Sequence, residues 1–168
     1  GPRPILATCD IPKLRCGANS PLAVLIACYT GALDARDDSL GEELLRCEQG
    51  PVAVIAATRV TMPYGNSVFG CELLRAAFRD SPGALGDIWL QAQVQTLAAP
   101  QNGDSLRTSL DAVARGVSPA PADLAAERRE HVVLYQLLGD PLLRLNYPVQ
   151  DSRPTPRIAT APDELHSR

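Results

Sequence analysis

A cysteine that closes an apolar run is the residue of this chain best placed for nucleophilic chemistry. Pro21-Leu22-Ala23-Val24-Leu25-Ile26-Ala27 lead without a polar interruption to Cys28, and Tyr29-Thr30-Gly31 follow. A thiol at the last position of a buried strand is lifted out of the core, into the space beyond the carboxyl end where α/β sheets bind ligands. A thiolate there is a strong nucleophile when a histidine or a positive environment lowers its pKa. Gly31 allows the backbone to turn sharply and approach a substrate. By position alone, a cysteine at a strand end is more often packing than catalysis, so the surroundings must decide.

The other titratable groups are weaker candidates. The chain has five cysteines, at positions 9, 16, 28, 47 and 71, with no C-x-x-C spacing, which argues against a zinc knuckle and against a disulfide framework. Cys9, Cys47 and Cys71 read as small apolar fillers. Two histidines are present, His131 and His166. His131 follows Glu127-Arg128-Arg129-Glu130 and opens an apolar stretch, so it reads as a partly exposed residue at the edge of an element, with a role as base its alternative. His166 lies in a polar tail. Asp34, Asp37 and Asp38 could hold a cation through carboxylate oxygens, but no ligand spacing supports that, and no metal or organic cofactor is expected.

The elements that must position Cys28 follow from the apolar pattern. The run ending at Cys28 predicts a strand buried on both faces. Ser39 with Glu42 three residues on is a capping box, which opens a helix to about Cys47. Gln49-Gly50-Pro51 ends it, and Val52 to Ala57 is a second buried strand. Strand, helix, strand is a βαβ unit, so the two strands should be parallel neighbours. Beyond it the pattern predicts helices from Asn66 to about Arg79, from Ala84 to Ala98, from the Asp104 cap to Arg115 with Gly116 closing it, and from Asp123 to Glu130. His131 to Tyr135 is expected to be extended. Residues 1–147 form one α/β domain with a mostly parallel sheet, and 148–168 read as a Pro-rich polar tail or linker. Two loops, Tyr29 to Asp38 and Thr58 to Asn66, lie beyond the strand ends, and the chemistry should be sought in them.

Composition narrows the partners. The 168 residues are 45 % hydrophobic but only 4 % aromatic, so the core must rest on Leu, Val, Ile and Ala. A net charge of −3 gives no electrostatic footprint for nucleic acid. The longest apolar run is too short to span a bilayer. The chain starts Gly1-Pro2-Arg3-Pro4 without Met and is taken as a fragment, so compartment is not readable.

Several segments, in their order and spacing, resemble the gingipain-type cysteine peptidase family. Ala27-Cys28-Tyr29-Thr30-Gly31 is similar to the family's Ala-Cys-x-x-Gly nucleophile context. Glu42-Glu43-Leu44-Leu45 resembles its acidic helix, and Gly50 to Ile55 its next strand. Leu85-Gly86-Asp87 resembles a Leu-Gly-Glu helix start, and Leu138-Gly139-Asp140-Pro141 a closing segment. The likeness covers roughly residues 4 to 147. It implies a three-layer caspase-like sandwich, a protein or peptide substrate, and a Cys28 acyl-enzyme. It also implies a substrate pocket lined by the second loop, with Gly31, Arg59 and Tyr64 as substrate-binding residues. Arg59 could instead pair with a local carboxylate such as Asp34 and brace the loop.

One departure stands against this. The family's dyad histidine lies upstream of the cysteine, in a His-Gly segment, and both histidines here lie downstream. The chain is therefore expected to begin between that loop and the cysteine strand, to lack the first strands of the sheet, and to be inactive without an upstream segment of the same polypeptide. A non-catalytic scaffold for protein contacts, or another α/β enzyme such as an amidase, are the rival readings.

Overall fold

The computed structural model describes residues 5–78, 83–100, 103–119 and 121–145. The predicted helix end at Arg79, part of the Ser81-Pro82-Gly83 break, the 148–168 tail and His166 lie outside them.

The centre is a three-stranded sheet in the order β1 (Leu22–Leu25), β2 (Ala53–Ala57), β3 (Tyr135–Leu138). β1 and β2 pair in parallel, Leu22 opposite Ala53 and Leu25 opposite Ala56. Helix α1 (Leu40–Arg46) connects them, so the βαβ unit is as expected. β3 adds to the other side of β2 in antiparallel register, Tyr135 opposite Ala57. Every residue of β2 is buried, and its alternation builds two cores. Val54 and Ala56 face Leu44 of α1 and Ile11 of an N-terminal 3-10 helix, Thr8–Lys13. Ile55 and Ala57 face Phe69 and Leu73 of α2 (Pro63–Phe78) and Ile88 and Ala92 of α3 (Leu85–Leu97). Helices therefore cover both faces, giving a three-layer α/β arrangement.

Three of the chain's few rings meet in one spot. Phe69 stacks on Tyr135 at 4.6 Å between centroids and meets Trp89 edge-on at 5.5 Å. Such pairs contribute about 0.5–1.5 kcal/mol each beyond the area they bury. They lock α2 and α3 to the end of the sheet where β2 meets β3.

Local signals explain most boundaries. Ser39 Oγ accepts from the Glu42 N–H at 3.4 Å, and the Ser39 N–H donates to Glu42 Oε2 at 2.9 Å. α4 (Ser105–Val117) and α5 (Leu124–Leu134) start at Asp104 and Asp123, whose carboxylates accept from Arg107 N–H and Ala126 N–H. Four boundaries differ from expectation. β1 stops at Leu25, so Cys28 sits in the following turn rather than on the strand. α2 starts at Pro63 instead of Asn66, because proline is suited to a first helical position, where no N–H is needed. Gly116 lies inside α4 rather than ending it. α5 runs on through His131 to Leu134, where an extended segment was expected.

The two segments Leu85-Gly86-Asp87 and Gly139-Asp140-Pro141 pack against each other. The N–H groups of Leu85 and Gly86, which open α3, donate to the carbonyls of Leu143 and Pro141, both at 2.7 Å. A Cβ on Gly86 would lie 3.0 Å from Pro141 Cβ, so the close approach needs glycine. The orphan donors of a helix start are thereby satisfied by the closing segment of the chain.

Candidate active site

Cys28 stands beyond the carboxyl end of β1, with its side chain exposed. The backbone reverses at Tyr29, whose φ of 57° is left-handed. A non-glycine residue there costs roughly 1–2 kcal/mol, which the surrounding bonds offset. Tyr29 N–H donates to Arg59 O at 3.2 Å, Gly31 N–H to Ala57 O at 2.8 Å, and Ala57 N–H to Thr30 Oγ1 at 3.2 Å. Gly31 was expected to supply the turn. Instead it supplies contact: a Cβ there would lie 2.8 Å from Ala56 Cβ. Glycine thus lets the loop lie flat on the end of β2.

The sulfur meets a single residue of the second loop. Thr61 N–H donates to Cys28 Sγ at 3.3 Å, and Thr61 Oγ1 and O each lie 3.6 Å from it. The N–H holds the thiol below its ordinary pKa, and the Thr61 hydroxyl acts in the same direction, against a smaller opposing effect of burial. Donors on sulfur favour the charged form. Thr61 is in turn held by Asn66, whose Nδ2 donates to its Oγ1 at 2.9 Å, and Asn66 Oδ1 accepts from Tyr135 O–H at 2.7 Å. These three partners were not singled out from sequence. Thr61 lay in a flagged loop, but nothing in the linear order joins it to Tyr135, 74 residues on by number (135 − 61).

His131 is not at an edge: it is 1 % exposed. Its Nδ1 lies 2.7 Å from the Glu127 carbonyl, which can only accept, and its Nε2 lies 2.7 Å from the Met62 N–H, which can only donate. The ring is therefore neutral, with its proton on Nδ1, and both nitrogens are occupied. A Cβ on Gly65 would come within 2.2 Å of this ring, so Gly65 is the residue that admits it. His131 and Glu127, whose Oε1 accepts from Gly65 N–H at 3.0 Å, together fix the start of α2 just after Thr61. A carboxylate at that helix start is also favoured by the dipole.

Arg59 makes a bidentate pair with Asp34, Nη1 to Oδ1 at 3.0 Å and Nη2 to Oδ2 at 2.8 Å, bridging the two crevice loops. Tyr64 does not face the crevice space as an open wall. It is buried with Val68, Ala114 and Leu124, and its hydroxyl donates to Asp111 Oδ1 and accepts from Arg128 Nη1, both at 2.8 Å. Its ring fixes α2 to α4 and α5. Asp34 and Asp38 are each taken by an arginine, Arg59 and Arg46, and among the described residues no group of three potential metal ligands forms. No helix among them is long and apolar enough to cross a membrane.

A family model for peptidase family C25 matches residues 2–146. Among solved structures, the complex of Porphyromonas gingivalis RgpB pro- and mature domains is similar in fold, with a TM-score of 0.59 at 15 % identity. The likeness covers 82 % of this chain and 30 % of that one, so this chain spans under a third of the structure it matches. No curated protein matches the chain.

Proposed function

The chain belongs to peptidase family C25, and from that premise we propose that it carries the nucleophile, Cys28, of a cysteine endopeptidase. The observation that supports this most is the sulfur's setting: exposed beyond β1, with Thr61 N–H donating to it and its pKa lowered. A thiolate so placed attacks a peptide carbonyl, forming an S–C bond while the carbonyl oxygen takes the charge. Backbone N–H groups, that of Cys28 among them, stabilise the oxyanion. Collapse breaks the C–N bond, the amine leaves with a proton from a general acid, and water then hydrolyses the thioester.

That acid–base group is the part the described residues do not offer. His131 has both nitrogens committed, so we assign the role to a histidine in an upstream segment of the same polypeptide. Residues 1–168 alone should then hydrolyse no peptide. In the protein that includes the upstream segment, Cys28→Ala should reduce hydrolysis of a peptide library by at least about a thousandfold, as loss of a nucleophile does. A thiol-directed peptidyl probe should label Cys28 ahead of Cys9, Cys16, Cys47 and Cys71. Equal cleavage by Cys28→Ala would refute the assignment, and absence of both labelling and cleavage would favour a non-catalytic scaffold.

A further inference from the structure

We infer that Tyr135, Asn66 and Thr61 form a positioning relay that aims two hydrogen-bond donors at Cys28 Sγ. The inference rests on Cys28 being the working thiol, as proposed above, and names the residues that hold it ready.

The direction of each bond follows from the one before. Tyr135 is 2 % exposed, stacked on Phe69, and its phenol is pushed up to about 12, chiefly by burial. It therefore keeps its proton throughout the neutral range and can donate. Its O–H donates to Asn66 Oδ1 at 2.7 Å, which decides the orientation of the amide: the oxygen faces Tyr135, and Nδ2 faces Thr61. Asn66 Nδ2 donates to Thr61 Oγ1 at 2.9 Å. With its oxygen accepting, the Thr61 hydroxyl has its own proton left to donate, and Cys28 Sγ lies 3.6 Å away. The Thr61 N–H donates to the same sulfur at 3.3 Å. The chain thus begins on β3, passes through α2, and ends on an exposed atom.

The Tyr135 phenol also interacts with the Thr61 hydroxyl directly, and the remaining groups around the relay hold it without competing for it. From α5, His131 takes the Met62 N–H and Glu127 the Gly65 N–H, so the backbone on either side of Pro63 is fixed. From the neighbouring loop, Arg59 is paired with Asp34. Tyr135 is the titratable side chain on the relay itself. Cys28 thereby gains thiolate character before any histidine approaches, which suits a nucleophile whose base comes from another segment.

The test reads the thiol directly, without turnover. Alkylation of Cys28 by iodoacetamide would be followed by peptide mass spectrometry across about pH 5 to 10, the range in which thiols titrate. Thr61→Val keeps the backbone N–H and removes the hydroxyl. Its alkylation midpoint should move to higher pH by about one unit, a roughly tenfold loss of thiolate below the midpoint. Thr61→Ser should restore the wild-type profile. Asn66→Asp, close in shape, cannot donate to Thr61 and instead draws the hydroxyl proton toward itself, so its midpoint should rise at least as far, and it provides the measurement should Thr61→Val fail to fold. Tyr135→Phe should give a smaller shift, about twofold in rate. Folded variants whose midpoints stay at the wild-type value would overturn the relay. That result leaves the nucleophile assignment standing if Cys28→Ala is still inactive, whereas a shifted midpoint with an active Cys28→Ala upholds the relay and removes the assignment.

Discussion

Two polar chains run through this molecule, one hydrogen-bonded throughout and one joined in part by ion pairs, and they end differently. One runs from Tyr135 through Asn66 and Thr61 to Cys28 and stops on an exposed sulfur. The other runs along the seam of α2, α4 and α5, from Asp104 through Arg75, Glu72, Arg107, Asp111 and Tyr64 to Arg128, almost entirely buried. In the seam each charge is answered by the next, with the Nε atoms of Arg107 and Arg128 making no hydrogen bond among the described residues. Two cysteines show the consequence. Donors from Thr61 lower the Cys28 thiol, while burial raises the Cys71 thiol beside the seam. A polar network that closes on itself serves position, and one left open at an end prepares that end for chemistry.

The strongest way to break the contrast is to cut each chain once. Arg107 is 3 % exposed and lies between Glu72, at 3.6 Å, and Asp111, at 3.4 Å. Arg107→Ala leaves Asp111 without its cation and Glu72 with Arg75 alone, and removing one partner from such a network costs about 3–5 kcal/mol. Urea unfolding should show that loss. Cys28→Ala, at an exposed turn, should change stability by no more than about 0.5 kcal/mol. A loss below about 1 kcal/mol in Arg107→Ala would mean that the seam is solvated and the contrast false.

Acid sharpens the same contrast. Arg75 holds the Asp104 carboxyl down at about 2, helped by the Arg107 N–H it caps, against an ordinary value of 3.8. A depressed folded-state value means that the carboxylate contributes stability above the unfolded pKa and loses it as pH falls through the folded one. The thermal midpoint should therefore fall between about pH 4 and pH 2, and Asp104→Asn, which can still cap α4, should flatten the fall within that window. Cys28 makes no ion pair with the seam, so Cys28→Ala should leave the acid limb unchanged. An unchanged acid limb in Asp104→Asn would remove the seam's share of acid sensitivity.

The parts legible in the sequence were those whose causes are local. A continuous apolar run, a capping box at Ser39-Glu42 and aspartates at two helix starts each act over a few residues, and the βαβ unit, α1, α4 and the start of α5 followed from them. Cys28 could be singled out because a strand, a turn and a glycine stand in line around it. The rest depends on contacts across the chain. Nothing near His131 tells that its two nitrogens meet Met62 and Glu127, and a ring so held extends α5 where β-branched Val132 and Val133 suggested a strand. Tyr64 lies in a loop-like stretch yet turns into the core, because Asp111 and Arg128, far along the chain, satisfy its hydroxyl. Gly31 read as a turn residue and Gly65 fell within a predicted loop, and both turn out to be places where something large comes close: Ala56 of β2 for one, the imidazole of His131 for the other.

The smallest expected effect lies at the rim of the open chain. Arg59 and Asp34 form a bidentate pair between the loops that carry Thr61 and Cys28, and both side chains are largely exposed. Exposed pairs contribute little to stability, so neither Arg59→Ala nor Asp34→Ala should move the unfolding midpoint measurably. Their effect should fall on turnover, and the double variant separates two roles. If the pair only braces the loops, each single variant removes the whole brace, so the single and double variants should lose activity equally; interacting partners show this failure of additivity. If Arg59 instead holds an acidic side chain of the substrate, Asp34 is its competitor. Asp34→Ala would then strengthen a preference for acidic peptides, and Arg59→Ala would abolish it. The fork-to-fork geometry, with both carboxylate oxygens engaged, favours the brace. Equal losses in the three variants across a peptide library are therefore expected, and opposite responses to acidic peptides would give Arg59 to the substrate.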